Sequence, residues 1–357
     1  MVAKVFDWMR KQKPFLGVDI GSASIKVVQL VPSGRGVRLK HASLIELQPQ
    51  NGTESETPVQ SVSKLLRREK NLAKERLATL FSGPNVIIRY LTLPKMPLGE
   101  LEEAVRWEAK KQTTQPLEDF VVDFFVMGET QHNEIKRNEI ILVMAESTLV
   151  KTQMEEFQGS GFTISALDIN QLVLLNTIRH HRPKDLSENL AFIDIGAGHL
   201  DIGIAKNGIL RFTRSVQNGG EGITQAIQRE LNVDFQEAER MKRERGLKKN
   251  KVEAMEEGED RLYQIIKEGV DRFVVEVQRS VDYYRAQFRE NAIQRLLLMG
   301  GCVQLPGFLE YFSTYFDAPV EVDDPFSRIQ MDDRFPQDLR TMGPRFATSI
   351  GLALRKG

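Results

Sequence analysis

LAFIDIGAGHLDIGIAKNGILRFTRSVQNGGEG, Leu190 to Gly222, is the stretch on which the fold turns. An apolar run, Leu190-Ala191-Phe192-Ile193, delivers Asp194 to the edge of a sheet, and the tight turn Gly196-Ala197-Gly198 follows. A second strand returns through Leu200, Ile202 and Ile204, with Asp201, Gly203 and Ala205 between them, the two-residue period of a half-buried strand. Asn207-Gly208 is the dipeptide of two-residue hairpins, whose central residues need positive φ. After a third strand, Gly219-Gly220 leads into a helix. A carboxylate at a strand end beside a glycine turn can come close to a phosphate and its Mg²⁺, because no side chain stands before the backbone N–H groups.

The same grammar opens the chain. Phe15-Leu16-Gly17-Val18-Asp19-Ile20-Gly21 again reads strand, Asp, Ile, Gly, and Ser22-Ala23-Ser24 turns into Ile25-Lys26-Val27-Val28-Gln29-Leu30. Two copies half a chain apart indicate a duplicated domain. Facing each other across a cleft, two such loops can hold a nucleotide's phosphates from both sides.

The 357 residues suit two domains better than one core. Lys plus Arg (49) equals Asp plus Glu (49), so no global positive field argues for nucleic acid. The single cysteine, Cys302, excludes an intramolecular disulfide framework and a cysteine-built metal site, and suits a reducing compartment. The five His show no metal spacing, and His180-His181 reads as a solvated helix end. No apolar run reaches transmembrane length, and Met1 to Lys13 lacks the apolar region of a signal peptide, so a cytoplasmic protein is expected. That leader puts Val2, Val5, Phe6 and Met9 on one helical face, a fit to an anionic surface or a partner, but so short a helix is marginal on its own and a frayed end is the favoured reading.

In chain order, a meander (Leu16–Val18, Ile25–Val31, Val37–Leu47) precedes a polar loop, a helix at Val59–Glu69 and a strand at Leu77–Phe81. Strands at Val86–Leu93, Phe120–Met127 and Glu139–Ala145, helices at Leu101–Lys111 and Thr148–Gln158, and a polar hairpin at 129–137 form an inserted unit. Thr163–Leu167 re-enters the first domain, and Asn170–His181 crosses to the second. There the expected helices are Ile223–Leu231, Phe235–Arg245 (capped by Asp234, closed by Gly246) and Leu262–Phe288, with a polar loop at 247–260. A buried strand at Ile293–Met299, a helix at Phe308–Phe316, a short strand at Val320–Val322 and a returning helix at Arg345–Arg355 complete the reading.

These residues resemble the actin-like ATPase superfamily, and within it the FtsA/PilM branch, most of all the PilM family of type IV pilus assembly. Asp19-Ile20-Gly21-Ser22 with Lys26 seven residues past the Asp is similar to the first phosphate motif, and Asp194-Ile195-Gly196-Ala197-Gly198 to the second. Gly300-Gly301 before Leu305-Pro306-Gly307-Phe308 is similar to the adenosine motif, and Ala238-Glu239-Arg240-Met241-Lys242 to the helix that reaches ribose and base. VQRSVDYYRAQF, LLMGGCVQLPGFLEYF and SIGLALR also look like the PilM family. The implied fold is α/β and actin-like (ribonuclease H-like): duplicated domains around a nucleotide cleft, with an inserted subdomain called 1C. On that scheme residues 1–14 are a leader. Residues 15–83, 162–187 and 335–357 form subdomain 1A, 84–161 form 1C, and 188–334 form 2A and 2B. The C-terminal linker and membrane-targeting helix expected of FtsA are not found.

The resemblance implies ATP and Mg²⁺ as cofactors. Asp19 and Asp194 would hold the metal through waters, Lys26 would neutralise the β- and γ-phosphates, and Gly21, Ser22, Gly196, Ala197 and Gly198 would donate backbone N–H groups. Gly219 and Gly220 would let the chain pass close to the nucleotide, Glu239 and Lys242 would hold ribose and base, and Gly300 and Gly301 would leave room for adenosine. Glu239 and Lys242 also read as a surface ion pair, and Ser24 equally as a ligand or a turn hydroxyl. Gln171 falls near the glutamine that orients the attacking water in actin, and with Asp194 makes the candidate catalytic pair. Two departures bear on turnover more than on binding: Asn170 where a Glu is expected, and His199-Leu200 where hydroxyl residues are usual. The family's partner is the N-terminal cytoplasmic tail of the inner-membrane protein PilN, taken in a groove between 1A and 1C. The pilus motor ATPases are further partners, and the location implied is the cytoplasmic face of the inner membrane. The alternatives are an FtsA-like filament-forming division protein and a small-molecule kinase.

Overall fold

In the computed structural model two sheets of the same strand order form the two lobes of the molecule. Residues 15–34, 36–47, 57–69, 72, 75–81, 86–132, 135–248, 257–288 and 292–355 are described; the leader and most of the polar loops at 48–58 and 247–260 lie outside them. In the first sheet β1 (Phe15–Ile20), β2 (Ser24–Ser33) and β3 (Gly36–Glu46) form the antiparallel meander. Then β4 (Arg76–Leu80) lies parallel beside β1, and β8 (Ile164–Asp168) beside β4. In the second, β9 (Asn189–Ile195), β10 (Leu200–Lys206) and β11 (Ile209–Val216) repeat the meander. There β12 (Arg295–Met299) and β13 (Val320–Val322) repeat the parallel pair. The orders β3-β2-β1-β4-β8 and β11-β10-β9-β12-β13 are the same topology, so the duplication read from the two Asp-Ile-Gly copies is present in the sheets.

The physical reason for those apolar runs is position. Central strands buried on both faces read as continuous hydrophobes rather than alternating ones. Phe15 to Val18 and Leu190 to Ile193 are buried throughout, and each strand changes character only at its aspartate. Open α/β sheets place ligands at the carboxyl ends of their parallel strands, which is where both aspartates stand.

The inserted unit is a three-stranded antiparallel sheet, β5 (Ile87–Pro94), β7 (Ile135–Glu146) and β6 (Phe120–His132), in that order. On one face α2 (Leu98–Lys110) buries Leu101, Val105 and Ala109, a one-sided stripe, against Ile140, Leu142 and Met144. The other face, through Ile88, Tyr90, Ile141 and Val143, meets α4 (Asn170–His181) and the second sheet. Next, α3 (Ser147–Gly159) sets Phe157 among Leu16, Leu66 and Leu77 of the first lobe, whose α1 (Pro58–Arg68) carries a Thr57/Gln60 capping box.

Between the lobes runs α4, none of whose residues is exposed, its polar side chains included. A last buried helix, α10 (Ala347–Ala353), returns to the first lobe. Gly17 and Gly351 allow its close approach: a Cβ on Gly17 would stand 2.1 Å from Ser349 O, and one on Gly351 2.2 Å from Val173 O.

Four local expectations differ. The polar hairpin at 129–137 is largely strand, because its polar residues pair across β6 and β7 after a bulge at Val126/Gly128. The long helix α7 (Glu257–Phe288) begins inside the expected polar loop. The strand β14 (Ile329–Gln330) pairs with β3, so the chain rejoins the first sheet before residue 335. His181 is not solvated: it is 4% exposed, with Nδ1 2.7 Å from Thr177 O and Nε2 2.8 Å from Asp323 Oδ1. Asp323 is fully buried and also accepts from Arg182 Nε at 2.7 Å. The two segments that cross between the lobes, α4 and the stretch after β13, are therefore pinned together by charge.

Candidate functional site

Each meander closes its turn in the same way. Gly21 N donates to Ser24 O at 3.1 Å, and Gly196 N to His199 O at 2.9 Å. The register sets Lys26 opposite Asp19 and, at the same offset, Asp201 opposite Asp194. The first hairpin thus carries its own counter-cation, with Lys26 Nζ 3.1 Å from Asp19 Oδ2, whereas the second carries two carboxylates.

The amino end of α4 reconciles those two. Asn170 Nδ2 donates to Asp194 Oδ2 at 2.9 Å and to Asp201 Oδ2 at 2.8 Å. Gln171 Nε2 donates to Asp201 Oδ1 at 3.0 Å, and Thr348 Oγ1 to Asn170 Oδ1 at 2.9 Å. Burial pushes the Asp194 carboxyl up to about 6; the Asn170 bond and Lys26 pull it down, while the charges of Asp201 and of Asp19 in the other lobe add to the rise. Both motif aspartates line the same cavity.

The loops also touch. A Cβ on Gly198 would stand 2.3 Å from Ser22 Oγ and 3.2 Å from Ser22 Cβ, so the second loop lies directly against the first. Beneath them lies a cavity of about 980 Å³ lined by both lobes. Asp19, Gly21, Ser22, Ser24, Lys26, Gln171, Asp194, Gly196, Ala197, Gly198, Gly220, Glu239, Lys242, Gly300 and Gly301 all line it. Gly219 does not: it packs beneath the second loop, where a Cβ would lie 2.2 Å from Ala197 O. Gly220 N and Glu221 N then bond Gly196 O and Ala197 O, sewing α5 (Gly220–Leu231) to that loop. Gly300, at φ +91°, passes Asp194 where a Cβ would be 2.5 Å from Oδ1.

Three residues expected to touch a ligand directly are engaged elsewhere. Gly21 and Gly196 use their N–H groups in closing the turns, which leaves Ser22, Ala197 and Gly198 as the loop donors. Lys242, on α6 (Phe235–Arg245), is buried, and its ammonium meets Gly220 O at 2.9 Å, Thr224 Oγ1 at 2.7 Å and Glu239 Oε2 at 2.6 Å. An ammonium has three protons to give, so Lys242 anchors α6 to the start of α5. Burial works to raise the Glu239 carboxyl, but Lys242 and its other donors outweigh it and hold the group below the usual range. With spare lone pairs on an ionised carboxylate, Glu239 can still accept a hydroxyl.

Sequence reasoning missed Asp201, Thr348 and Arg345, which all line the cavity. Asp201 had a signal, standing as far past Asp194 as Lys26 stands past Asp19. Thr348 and Arg345 come from the far end of the chain and had none. Arg345 reaches Glu46 Oε1 at 2.8 Å and thereby ties the last segment to β3.

The donor set suits a hard cation: carboxylates, hydroxyls and backbone, without thiolate. Among the described residues no group of three or more His, Cys, Asp or Glu forms a metal cage.

A family model described as type IV pilus assembly protein PilM matches residues 17–357. Among curated proteins, cell division protein FtsA of Neisseria meningitidis serogroup B is 24% identical over 225 residues, 59% of this chain and 52% of that protein. FtsA of Streptococcus pneumoniae serotype 2 is 20% identical over 391 residues, 97% of this chain and 80% of that one. The matched stretch therefore spans about half the length of the first of these relatives (52%). Among solved structures, a PilM-PilN type IV pilus biogenesis complex superposes with a TM-score of 0.80 at 27% identity, covering 96% of this chain and 98% of that one. MreB5 of Spiroplasma citri bound to ADP gives a TM-score of 0.52 at 12% identity over 95% of each chain, a likeness of fold alone.

Proposed function

The chain belongs to the PilM family of type IV pilus assembly proteins, and from that premise we propose that its cleft binds Mg-ATP and that it takes the N-terminal cytoplasmic tail of PilN. The observation that carries the nucleotide reading is the meeting of two equivalent hairpins, one from each lobe, over one cavity that Asp19 and Asp194 both line. In this reading Asp19 and Asp194 hold Mg²⁺ through waters, and Lys26 faces the phosphate oxygens. The N–H groups of Ser22, Ala197 and Gly198 bind the phosphates, Glu239 accepts a ribose hydroxyl, and Gly300 and Gly301 make room for the base. The metal, when bound, neutralises phosphate charge that would otherwise repel the carboxylates.

The proposal stops at binding. Asn170 and Gln171 stand where hydrolysis would need a group to orient water, and both amides are engaged by Asp194 and Asp201. ATP then acts as a conformational ligand that shifts the balance between open and closed clefts.

For the partner, the likeness to a PilM-PilN complex extends over nearly the whole of both chains. We take residues 15–83 and 162–187 with the C-terminal return as one lobe, 84–161 as the insert and 188–334 as the other lobe, with Ile329–Gln330 joining the first. The insert leaves β6 as a free sheet edge with Val121 and Phe125 exposed on one face (46% and 55%), a surface on which an extended peptide can add as a strand. Among the described residues no helix is long and apolar enough to cross a membrane. Attachment to the inner membrane would run through PilN, with the pilus motor ATPases as further partners. Calorimetric titration with a peptide copying the PilN tail, with and without Mg-ATP, tests the reading. Saturable micromolar binding is expected, and no binding in either condition overturns it. The FtsA likeness favours a second reading, a nucleotide-dependent filament, which predicts sedimentable polymer under the same conditions.

A further inference from the structure

The insert is fastened to both lobes. To the first lobe it is joined through α3, with Phe157 buried in the core beside Leu16 and Leu66 and Gln153 Nε2 bonding Leu80 O at 2.8 Å. Ser63 Oγ adds a bond to Ser160 O at 3.0 Å. To the second lobe it is joined through the apolar face of Ile88, Tyr90, Ile141 and Val143 and through one polar contact: Arg211 of β11 donates to Glu139 of β7 and to the Tyr90 hydroxyl of β5. The guanidinium lies 5.2 Å from the Tyr90 ring centre, and Tyr90 meets Phe288, at the end of α7, edge to face at 5.9 Å. Nearby, Gly128 in the β6 bulge lets Ile209 come so close that a Cβ would stand 2.9 Å from its Cδ1.

Three features set this contact apart from ordinary packing. Glu139 is 3% exposed, and among the described residues its Oε2 has no hydrogen-bond partner. Should Arg211 withdraw, the carboxylate would be left buried and uncompensated, so intermediate separations are disfavoured. Burial, with Glu139 beside it, pushes the Tyr90 phenol up to about 12, which keeps it protonated. The insert's own base faces the cleft, since Val86, Ile88 and Arg89 line the same cavity as the two aspartates. Meanwhile Asp323 pins the crossing segments at the foot of α4.

We propose that the Arg211–Glu139–Tyr90 contact is a latch that couples cleft closure to the position of the insert, so that the partner-binding sheet registers whether the cleft is filled. The proposal rests on the cleft being a nucleotide site. Because coupling between two ligands is reciprocal, the partner peptide would in turn bias the cleft.

The test measures the distance between spin labels on two exposed positions, Glu102→Cys on the insert and Gln225→Cys on α5, by pulsed electron resonance, with and without Mg-ATP. Wild type is compared with Arg211→Met and with the double variant Glu139→Gln/Arg211→Met, which removes both charges and so leaves no buried unpaired carboxylate. In wild type, Mg-ATP should shift the distance between two populations. In the double variant the distribution should be broad and should not respond to nucleotide, while Mg-ATP affinity, measured by calorimetry, stays within about threefold of wild type. A double variant that binds Mg-ATP and keeps the wild-type shift, or a wild type that binds without any shift, overturns the latch alone. A wild type that fails to bind Mg-ATP removes the nucleotide reading and the latch with it.

Discussion

Asp194 carries the clearest consequences at the scale of single residues. Asp194→Ala removes a carboxylate held at a raised pKa, so it should weaken Mg-ATP binding at least about tenfold without lowering the stability of the unliganded protein. Calorimetry and thermal melting check the two halves of that statement, and unchanged affinity would contradict the site. The sign of the pH dependence follows from the same shift. The folded carboxyl titrates near 6, above its ordinary value, so the unliganded protein is stabilised by the bound proton at low pH and loses that contribution as pH rises through 6. Mg²⁺ needs the anion, so affinity should fall by about tenfold per pH unit below 6 and level off above it. A flat profile between pH 5 and pH 7 would contradict this. Gly300→Ala should also abolish binding, because the added methyl meets Asp194 Oδ1 at 2.5 Å from a backbone at φ +91°. The motif aspartates, the glycines and Lys26 were legible because a strand-Asp-Gly turn has a local pattern. Asn170 as a bridge between two carboxylates was not, since a polar residue opening a helix looks like any other.

The element scale shows where local pattern fails. Helix α6 was read to the residue because its signals are local: Asp234 Oδ1 accepts from Glu237 N at 2.8 Å, and Gly246 at φ +51° ends it. His181 was misread because its partner, Asp323, is distant in sequence, and no period or cap marks a buried pair of this kind. Removing that partner should be costly. Asp323→Ala leaves Arg182 and His181 facing a void at the lobe crossing and should lower stability by about 3 kcal/mol. Urea unfolding followed by circular dichroism measures this, and a loss below about 1 kcal/mol would show that the crossing segments are held by packing alone. The β6–β7 hairpin was read short for a related reason. Its outer pairs, such as Thr130 with Arg137, are polar on both strands and leave no apolar alternation to count.

At the scale of the whole molecule, the duplication was readable from two short copies, but the way the insert straddles both lobes was not. Tyr90, Glu139 and Arg211 meet only through tertiary packing, and each reads alone as an ordinary strand residue. The PilM reading predicts that the full chain sediments as a monomer or small oligomer in Mg-ATP and binds the PilN tail. Polymer that pellets in nucleotide without binding the tail would transfer the assignment to the filament reading. Beneath either outcome lies the claim that hairpins from both lobes grip one magnesium nucleotide. The most direct measurement is a crystal structure of the chain grown with Mg-ATP. The expected result is a triphosphate between Ser22 and the Ala197-Gly198 turn, with the metal's waters reaching both Asp19 and Asp194. Nucleotide bound outside that gap, or touching the hairpin of one lobe only, would contradict the account.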